Sequence, residues 1–275
     1  MEKKIEVLDQ GYVTFIDSWG SDESVIEAAR MSTGKGFLGW GTSYMCPDGC
    51  GCKWRDNEDG TMSLFDADQK SCSVCEYLPL SKLTKVAGDE KLLTYLYNNK
   101  HSTPFEMAGL VIEVKAPIFV FREWHRHRTQ SYNEMSARYI PLPDENYIPS
   151  IERLMLGANT ATTNKQAQGI GKALTEAEAI DWREHLKECY QNCQDVYELG
   201  IGAGIPKELA RLPVPVARYS RMRASTNLRN WLAFLTLRQA SAAQWEIRQY
   251  ADAVNVLINE NFPRTWALFE SERTR

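Results

Sequence analysis

No run of residues in this chain approaches the ~18–20 consecutive apolar positions that a membrane span requires, so no segment reads as a transmembrane helix. The opening residues, Met1 to Val7, carry neither a long apolar region nor a cleavage site, so no secretory signal is visible. A cytoplasmic location is the expectation, and there structural disulfides are rare even in a chain with seven cysteines. An excess of charge of one sign is also missing: 32 Lys and Arg face 36 Asp and Glu, leaving a net charge of −4. Coating of a nucleic-acid backbone is therefore not expected. Nor is there an internal repeat. What remains is an ordinary globular composition, 43% hydrophobic and 25% charged. The 275 residues suffice for one large domain or two small ones, each with a sizeable core.

Against that acidic background, positive charge is concentrated between Arg122 and Arg138. The segment Arg126-His127-Arg128-Thr129-Gln130-Ser131-Tyr132-Asn133-Glu134-Met135-Ser136-Ala137-Arg138-Tyr139 follows the apolar run Pro117-Ile118-Phe119-Val120-Phe121. A guanidinium is permanently charged, and its planar fork holds a phosphate or the edge of a heterocycle through two hydrogen bonds. Interleaved Ser, Asn and Glu add neutral donors, acceptors and one counter-charge. Two readings stand: a site for a phosphorylated planar ligand such as a nucleotide, or a solvated basic helix end.

Ile5–Val7 and Tyr12–Ile16 read as short strands, and Ser21-Asp22-Glu23-Ser24 as a helix start. From Thr33 to about Tyr77 no helical or strand period is visible. A helix is expected over Asp89–Lys100 and a strand over Leu110–Val114, with Pro117 in the first turn of the next helix. Positions 141–173 read as loop. Thr175 and Glu178 form a capping box opening a long helix, in which Trp182, Leu186, Cys189, Cys193 and Val196 mark a face expected to be buried. Pro206–Leu212 reads as a short helix, Val214–Ser220 as a strand, and Asn227–Arg238 and Trp245–Asn261 as helices. This irregular alternation predicts an α+β fold rather than a doubly wound sheet.

A second arginine-rich region holds Arg211, Arg218, Arg221, Arg223, Arg229 and Arg238, the last closing the apolar run Trp231–Leu237. An arginine there is partly desolvated, where its hydrogen bonds count for more; the alternative is a surface arginine beside a core helix. Arg126-His127-Arg128, seven residues and then Ser136 is the signature of the flavin-dependent thymidylate synthases, which this chain resembles. Further blocks match in order: His101-x-Thr103-Pro104-Phe105-Glu106, Lys115 to Val120, Ser131 to Tyr139, and Leu237-Arg238 followed by Ala243-Gln244-Trp245-Glu246-Ile247. Together they cover most of the chain outside residues 33–77.

The resemblance implies one α+β domain over residues 1–275, with a mixed or antiparallel sheet and long helices, interrupted by a cysteine-rich insertion at 33–77. It implies reductive methylation of dUMP to dTMP, with methylenetetrahydrofolate as carbon donor and FAD reduced by NADPH. Carried over, Thr103, Glu106, Arg126, His127, Arg128, Glu134, Asn227 and Arg229 belong to the flavin site. Glu123, Arg126, Glu134, Met135, Ser136, Ala137, Arg138, Arg211 and Arg238 belong to the dUMP site. Arg238, Ser136 and His101 stand closest to the chemistry: Arg238 at the uracil edge, His101 near the flavin face. With no His–Asp relay evident, Ser136 reads as a binding hydroxyl rather than a nucleophile. Ala233 and Ala242 depart from polar residues that some members carry near the flavin. The family's sites are shared between subunits of a homotetramer, with neither nucleic acid nor membrane as partner. The alternative from another class is a nucleic-acid-binding module with a zinc knuckle.

The insertion carries Cys46, Cys50, Cys52, Cys72 and Cys75. Two cysteine knuckles separated by about twenty residues are the pattern of a tetrahedral structural zinc site, and a metal would supply folding energy that so little apolar surface cannot. Cys46, Cys72 and Cys75 with Cys50 form the candidate set; Cys52 competes with Cys50, and an unligated loop or a redox role are the other readings. Cys189 and Cys193, four apart on one helix, read as core packing.

Overall fold

The computed structural model describes residues 3–41, 43–46, 52–56, 62–64, 82–156 and 174–274. The chain divides into two compact units, residues 1–19 with 109–261, and residues 20–108 with 262–275.

The first unit is built on a five-stranded sheet, antiparallel throughout. Its strands are β1 (Lys4–Val7), β2 (Gly11–Trp19), β7 (Gly109–Pro117), β8 (Ser131–Glu134) and β9 (Tyr219–Asn227), in the order β1-β2-β7-β9-β8. Alternation along β7 turns Leu110, Ile112, Val114 and Ala116 into the core. Ser220, Met222, Ala224 and Thr226 do the same along β9, while Arg221 and Arg223 are exposed. Against the sheet pack α3 (Ile118–Trp124), α7 (Leu228–Arg238) and α8 (Trp245–Asn261), which bury Trp124, Trp231, Phe234 and Tyr250. The polar ends of these rings are satisfied: Trp231 Nε1 donates to the Leu110 carbonyl at 3.1 Å and the Tyr250 hydroxyl to the Lys115 carbonyl at 2.9 Å.

Helix α5 (Glu176–Gly202) starts at the expected capping box: Glu178 N–H donates to Thr175 Oγ1 at 3.2 Å, and Thr175 N–H to Glu178 Oε2 at 2.8 Å. Its buried residues are Ala179, Gln194, Tyr197 and Gly200, not the stripe expected from the sequence. Trp182, Val196 and Cys189 are exposed and Cys193 half-exposed, so the two thiols are not core packing. The buried side is set by Arg218, itself fully buried, whose Nη2 donates to Gln194 Oε1 at 2.7 Å and whose Nη1 donates to the Pro143 carbonyl at 2.6 Å. Two other expectations change. Within 141–173 lies a short helix, α4 (Ile151–Leu156), and no strand runs from Val214, because Pro213 and Pro215 lack ladder donors and pairing with β7 starts only at Tyr219. Helix α6 (Lys207–Ala210) fills one turn of the expected 206–212 helix.

The second unit holds α1 (Asp22–Arg30), α2 (Glu90–Asn98), α9 (Pro263–Arg273) and a 3-10 turn at Thr103–Glu106. The Asp22 carboxylate caps α9, accepting from Arg264 N–H at 2.8 Å, Thr265 N–H at 3.1 Å and Thr265 Oγ1 at 2.6 Å. In the stretch where no period was legible lie β3 (Ser43–Met45), β4 (Lys53–Asp56) and β5 (Met62–Leu64), which with β6 (Thr84–Val86) form a second antiparallel sheet in the order β5-β4-β3-β6. Strands of three or four residues are too short to display alternation. Both sheets being antiparallel among long helices, the fold is α+β, as the sequence led us to expect.

Candidate functional site

The Arg126-His127-Arg128 segment is a chain of tight turns at the C-terminus of α3. His125 N–H donates to the Phe121 carbonyl, His127 N–H to that of Trp124, and Gln130 N–H to that of His127. Two side chains lock these turns from inside: Trp124 Nε1 donates to Gln130 Oε1 at 3.0 Å, and the Tyr132 hydroxyl reaches the carbonyls of Trp124 (3.1 Å) and His127 (2.8 Å). Arg126 and Arg128 are left exposed while His127 turns inward, edge-on to Phe234 with ring centroids 4.9 Å apart. Burial, and then the nearby Arg238 charge, push the His127 pKa down to about 4, so the ring is neutral at pH 7.

Arg238, the last residue of α7, is only 14% exposed in its side chain. Its Nε donates to His127 Nε2 at 2.8 Å, Nη1 to Glu123 Oε2 at 2.9 Å and Nη2 to the Glu123 carbonyl at 2.7 Å. Every nitrogen of the fork is therefore engaged, and its plane is fixed by Glu123 of α3 and His127 of the turn that follows.

Beyond the turn, β8 carries the chain along β9 to Glu134, and Met135 N–H continues the pairing onto the Arg221 carbonyl at 2.8 Å. Ser136 then opens a second turn, accepting from Arg138 N–H at its Oγ (3.3 Å) and from Tyr139 N–H at its carbonyl (3.0 Å). Arg138 pairs with Glu208 on α6 at 2.9 Å, with both side chains largely in solvent.

These elements enclose a cavity of about 550 Å³. Ile118, Phe121, Arg122 and His125 line one wall; Glu134, Met135, Ser136 and Ala137 line a second; Leu142, Arg211, Leu212 and Val214 to Val216 contribute a third, with Ser220 completing it. Two guanidiniums, one carboxylate and apolar walls in a volume of this size suit a small anionic ligand with a flat apolar body. A second cavity, of about 580 Å³, lies against the strands and is lined by Glu113, Tyr132, Asn133, Arg221 and Arg223 among others. Glu134 and Met135 line both.

The sequence profile of the thymidylate synthase complementing protein family matches residues 14–264. The chain belongs to this family. A relative from Thermus thermophilus described as flavin-dependent thymidylate synthase is 34% identical over 267 residues, covering 97% of this chain and 78% of its own. Another so described, from Ruegeria pomeroyi, is 36% identical over 271 residues, covering 97% and 73%. Among solved structures, a UMP/dUMP methylase PolB from Streptomyces cacaoi, bound with 5-Br dUMP, superposes with a TM-score of 0.69 at 27% identity, covering 97% of each chain.

Of the residues that the resemblance to flavin-dependent thymidylate synthases singled out, Glu134, Met135, Ser136, Ala137 and Arg211 line the first cavity. Glu123, His127 and Arg238 form one hydrogen-bonded group behind the Arg126–Arg128 turn. Asn227 caps α7, its Oδ1 accepting from Asn230 N–H at 3.0 Å, and the neighbouring Thr226 hydroxyl donates to the Thr129 carbonyl at 2.9 Å. The N-terminus of α7, with exposed Arg229, thus sits beside the turn that carries Arg128. Arg138 is directed to Glu208, outside the cavity lining. His101, Thr103 and Glu106 belong to the second unit, where His101 is exposed and edge-on to Tyr95. Of the insertion cysteines, Cys46 and Cys52 are buried and joined by a Cys46 N–H to Cys52 carbonyl bond at the end of the β3–β4 pair. Cys50, Cys72 and Cys75 lie outside the described residues. No cluster of three metal-ligating side chains occurs among the described residues. No helix among them is long and apolar enough to cross a membrane.

Sequence reasoning missed Arg122, His125 and Ser220 as lining residues. The first two were within reach: Ile118, Phe121, Arg122 and His125 fall at i, i+3, i+4 and i+7, one face of α3.

Proposed function

We propose that the chain converts dUMP to dTMP as a flavin-dependent thymidylate synthase, with FAD, NADPH as reductant and methylenetetrahydrofolate as carbon donor. The observation that carries this reading is the cavity that collects Glu134, Ser136 and Arg211 in a member of this family. In it, Ser136, Arg211 and the backbone around Met135 and Ala137 hold dUMP, and the resemblance adds Arg126 and Arg138 as contacts from outside the lining. Arg126, His127, Arg128, Glu134, Asn227 and Arg229 are the flavin-contacting residues of the first unit, and the resemblance assigns Thr103, Glu106 and His101 of the second unit to flavin as well. Exposed guanidiniums beside the capped N-terminus of α7 suit the pyrophosphate of FAD.

Uracil C5 is a weak nucleophile, and anionic character at N3 and O4 raises its electron density. Arg238 stabilises that anion without surrendering a proton, and Glu123 and His127 hold it in place. The flavin, when bound, supplies the reducing equivalent, leaving positioning and electrostatics to the protein.

Further parts of the reading are a single domain over 1–275 with 33–77 as its insertion, a structural zinc on Cys46, Cys72, Cys75 and either Cys50 or Cys52, and a cytoplasmic location. A homotetramer is the assembly the resemblance implies, and the exposed apolar residues Trp182, Val196 and Leu199 suit burial against another subunit. The nucleic-acid-binding alternative draws no support from the relatives above.

The test is a visible spectrum of the purified protein before and after NADPH and dUMP. Yellow protein bleached by NADPH, with dTMP formed on adding methylenetetrahydrofolate, is expected. Colourless protein that binds no flavin would overturn the reading.

A further inference from the structure

Ser220 sits on β9, facing the core side of the sheet, and is 2% exposed. Its Oγ is buried and has no hydrogen-bond partner among the described residues. Burying a hydroxyl without a partner costs free energy that an alanine at the same position would avoid. The other buried side-chain polar atoms in this condition among the described residues belong to Trp54, Gln130, Asn146, Arg183, Arg218 and Arg248. None of those lines the 550 Å³ cavity; Ser220 does.

We propose that the Ser220 hydroxyl is a substrate-recognition contact, hydrogen-bonded to an uncharged oxygen of the pyrimidine nucleoside seated in that cavity. The inference rests on reading the cavity as the dUMP pocket. Charge decides which part of the ligand reaches it. A phosphate carries nearly two negative charges and is costly to strip of water. Arg122 and Arg211, the cationic residues of the lining, are both exposed, so the phosphate stays with them at the solvent side. The nucleoside then extends between Phe121, Leu142 and Pro215 toward the buried end, where the unpartnered donor waits. A hydroxyl both donates and accepts, so it meets either a carbonyl of the base or a hydroxyl of the sugar.

The proposal has a signature that a structural role cannot imitate. If Ser220 is satisfied only by ligand, Ser220→Ala removes an unmet cost from the ligand-free fold while removing a contact from the complex. With flavin-loaded protein, calorimetric titration of dUMP is expected to show Kd raised about 3–15-fold in Ser220→Ala, the loss typical of one uncharged hydrogen bond. Its ligand-free Tm should be unchanged or raised by on the order of 2 °C. Arg211→Ala, titrated in parallel, tests the pocket itself. If Arg211→Ala weakens dUMP binding and Ser220→Ala leaves Kd within twofold of the parent, the Ser220 contact is refuted and the pocket stands. If neither variant changes Kd, the pocket reading fails and the proposal with it. A lowered ligand-free Tm in Ser220→Ala would show a hydroxyl satisfied within the fold, which also overturns the proposal.

Discussion

Arg238 donates its Nε–H to His127 Nε2 across 2.8 Å, joining residues 111 positions apart. An imidazole that accepts at Nε2 while neutral must carry its proton at Nδ1. The pair therefore sets a tautomer as well as a position: a permanent cation faces the lone pair of a ring that burial keeps uncharged. The residue between the two exposed arginines of the motif is thus the one of the three that adds no positive charge at neutral pH.

His127 is expected to stay neutral, as the Nδ1–H tautomer, until the pH approaches about 4. In the unfolded chain the same ring titrates near 6.5. Between these values the unfolded state binds the extra proton, so stability from this residue is complete above roughly pH 6.5 and falls as pH drops toward 4. Nitrogen-15 NMR of the histidines checks the tautomer. Urea unfolding across that range checks the linkage, and His127→Gln should flatten the dependence. A ring protonated at pH 6 would refute the assignment.

Arg238→Ala should cut dTMP formation about 10²–10³-fold, the usual loss when one fixed electrostatic donor is removed, while the bound flavin remains visible. Loss of the flavin along with activity would show instead that the guanidinium mainly holds the His127 turn.

Asp22→Ala should destabilise the protein by about 2–4 kcal/mol, since it strips a buried charged cap from three donors. Denaturant titration measures it, and Asp22→Asn should recover part of the loss. A change under about 0.5 kcal/mol, the range of ordinary surface substitutions, would mean that water replaces the cap.

The zinc reading predicts about one metal per chain by elemental analysis. Cys46→Ser and Cys72→Ser should each lose it, and whichever of Cys50→Ser and Cys52→Ser retains it identifies the bystander. Metal-free protein with all cysteines titrating as free thiols would end the idea. The close approach of buried Cys46 and Cys52 favours Cys52 as the partner.

Local chemistry was legible where it was strong. Ser21, Thr175 and Asn227 each cap the helix they were expected to open, because a capping oxygen acts within its own turn. Strand β8 was hidden: Ser-Tyr-Asn-Glu has no apolar alternation, and it is extended because β9 offers it ladder partners from Ser225 to Met222. On α5 the apolar stripe was plain, yet the side that packs within the chain is chosen by Arg218 and Gln194, and no helical period announces that pair. At the site the motif residues were legible from their ordered blocks. Ser220 was not, since one serine in a polar strand becomes notable only once its hydroxyl is found buried without a partner.

The cap that Asp22 places on α9 has a bearing on biosynthesis. A ribosome delivers α1 well before α9, and the compact unit made of residues 20–108 needs 262–275 to be whole. The sheet-based unit can gather its strands once Asn227 has emerged, whereas the other unit must wait for α9. Residues 20–108, synthesised before most of the sheet, therefore complete their folding after it.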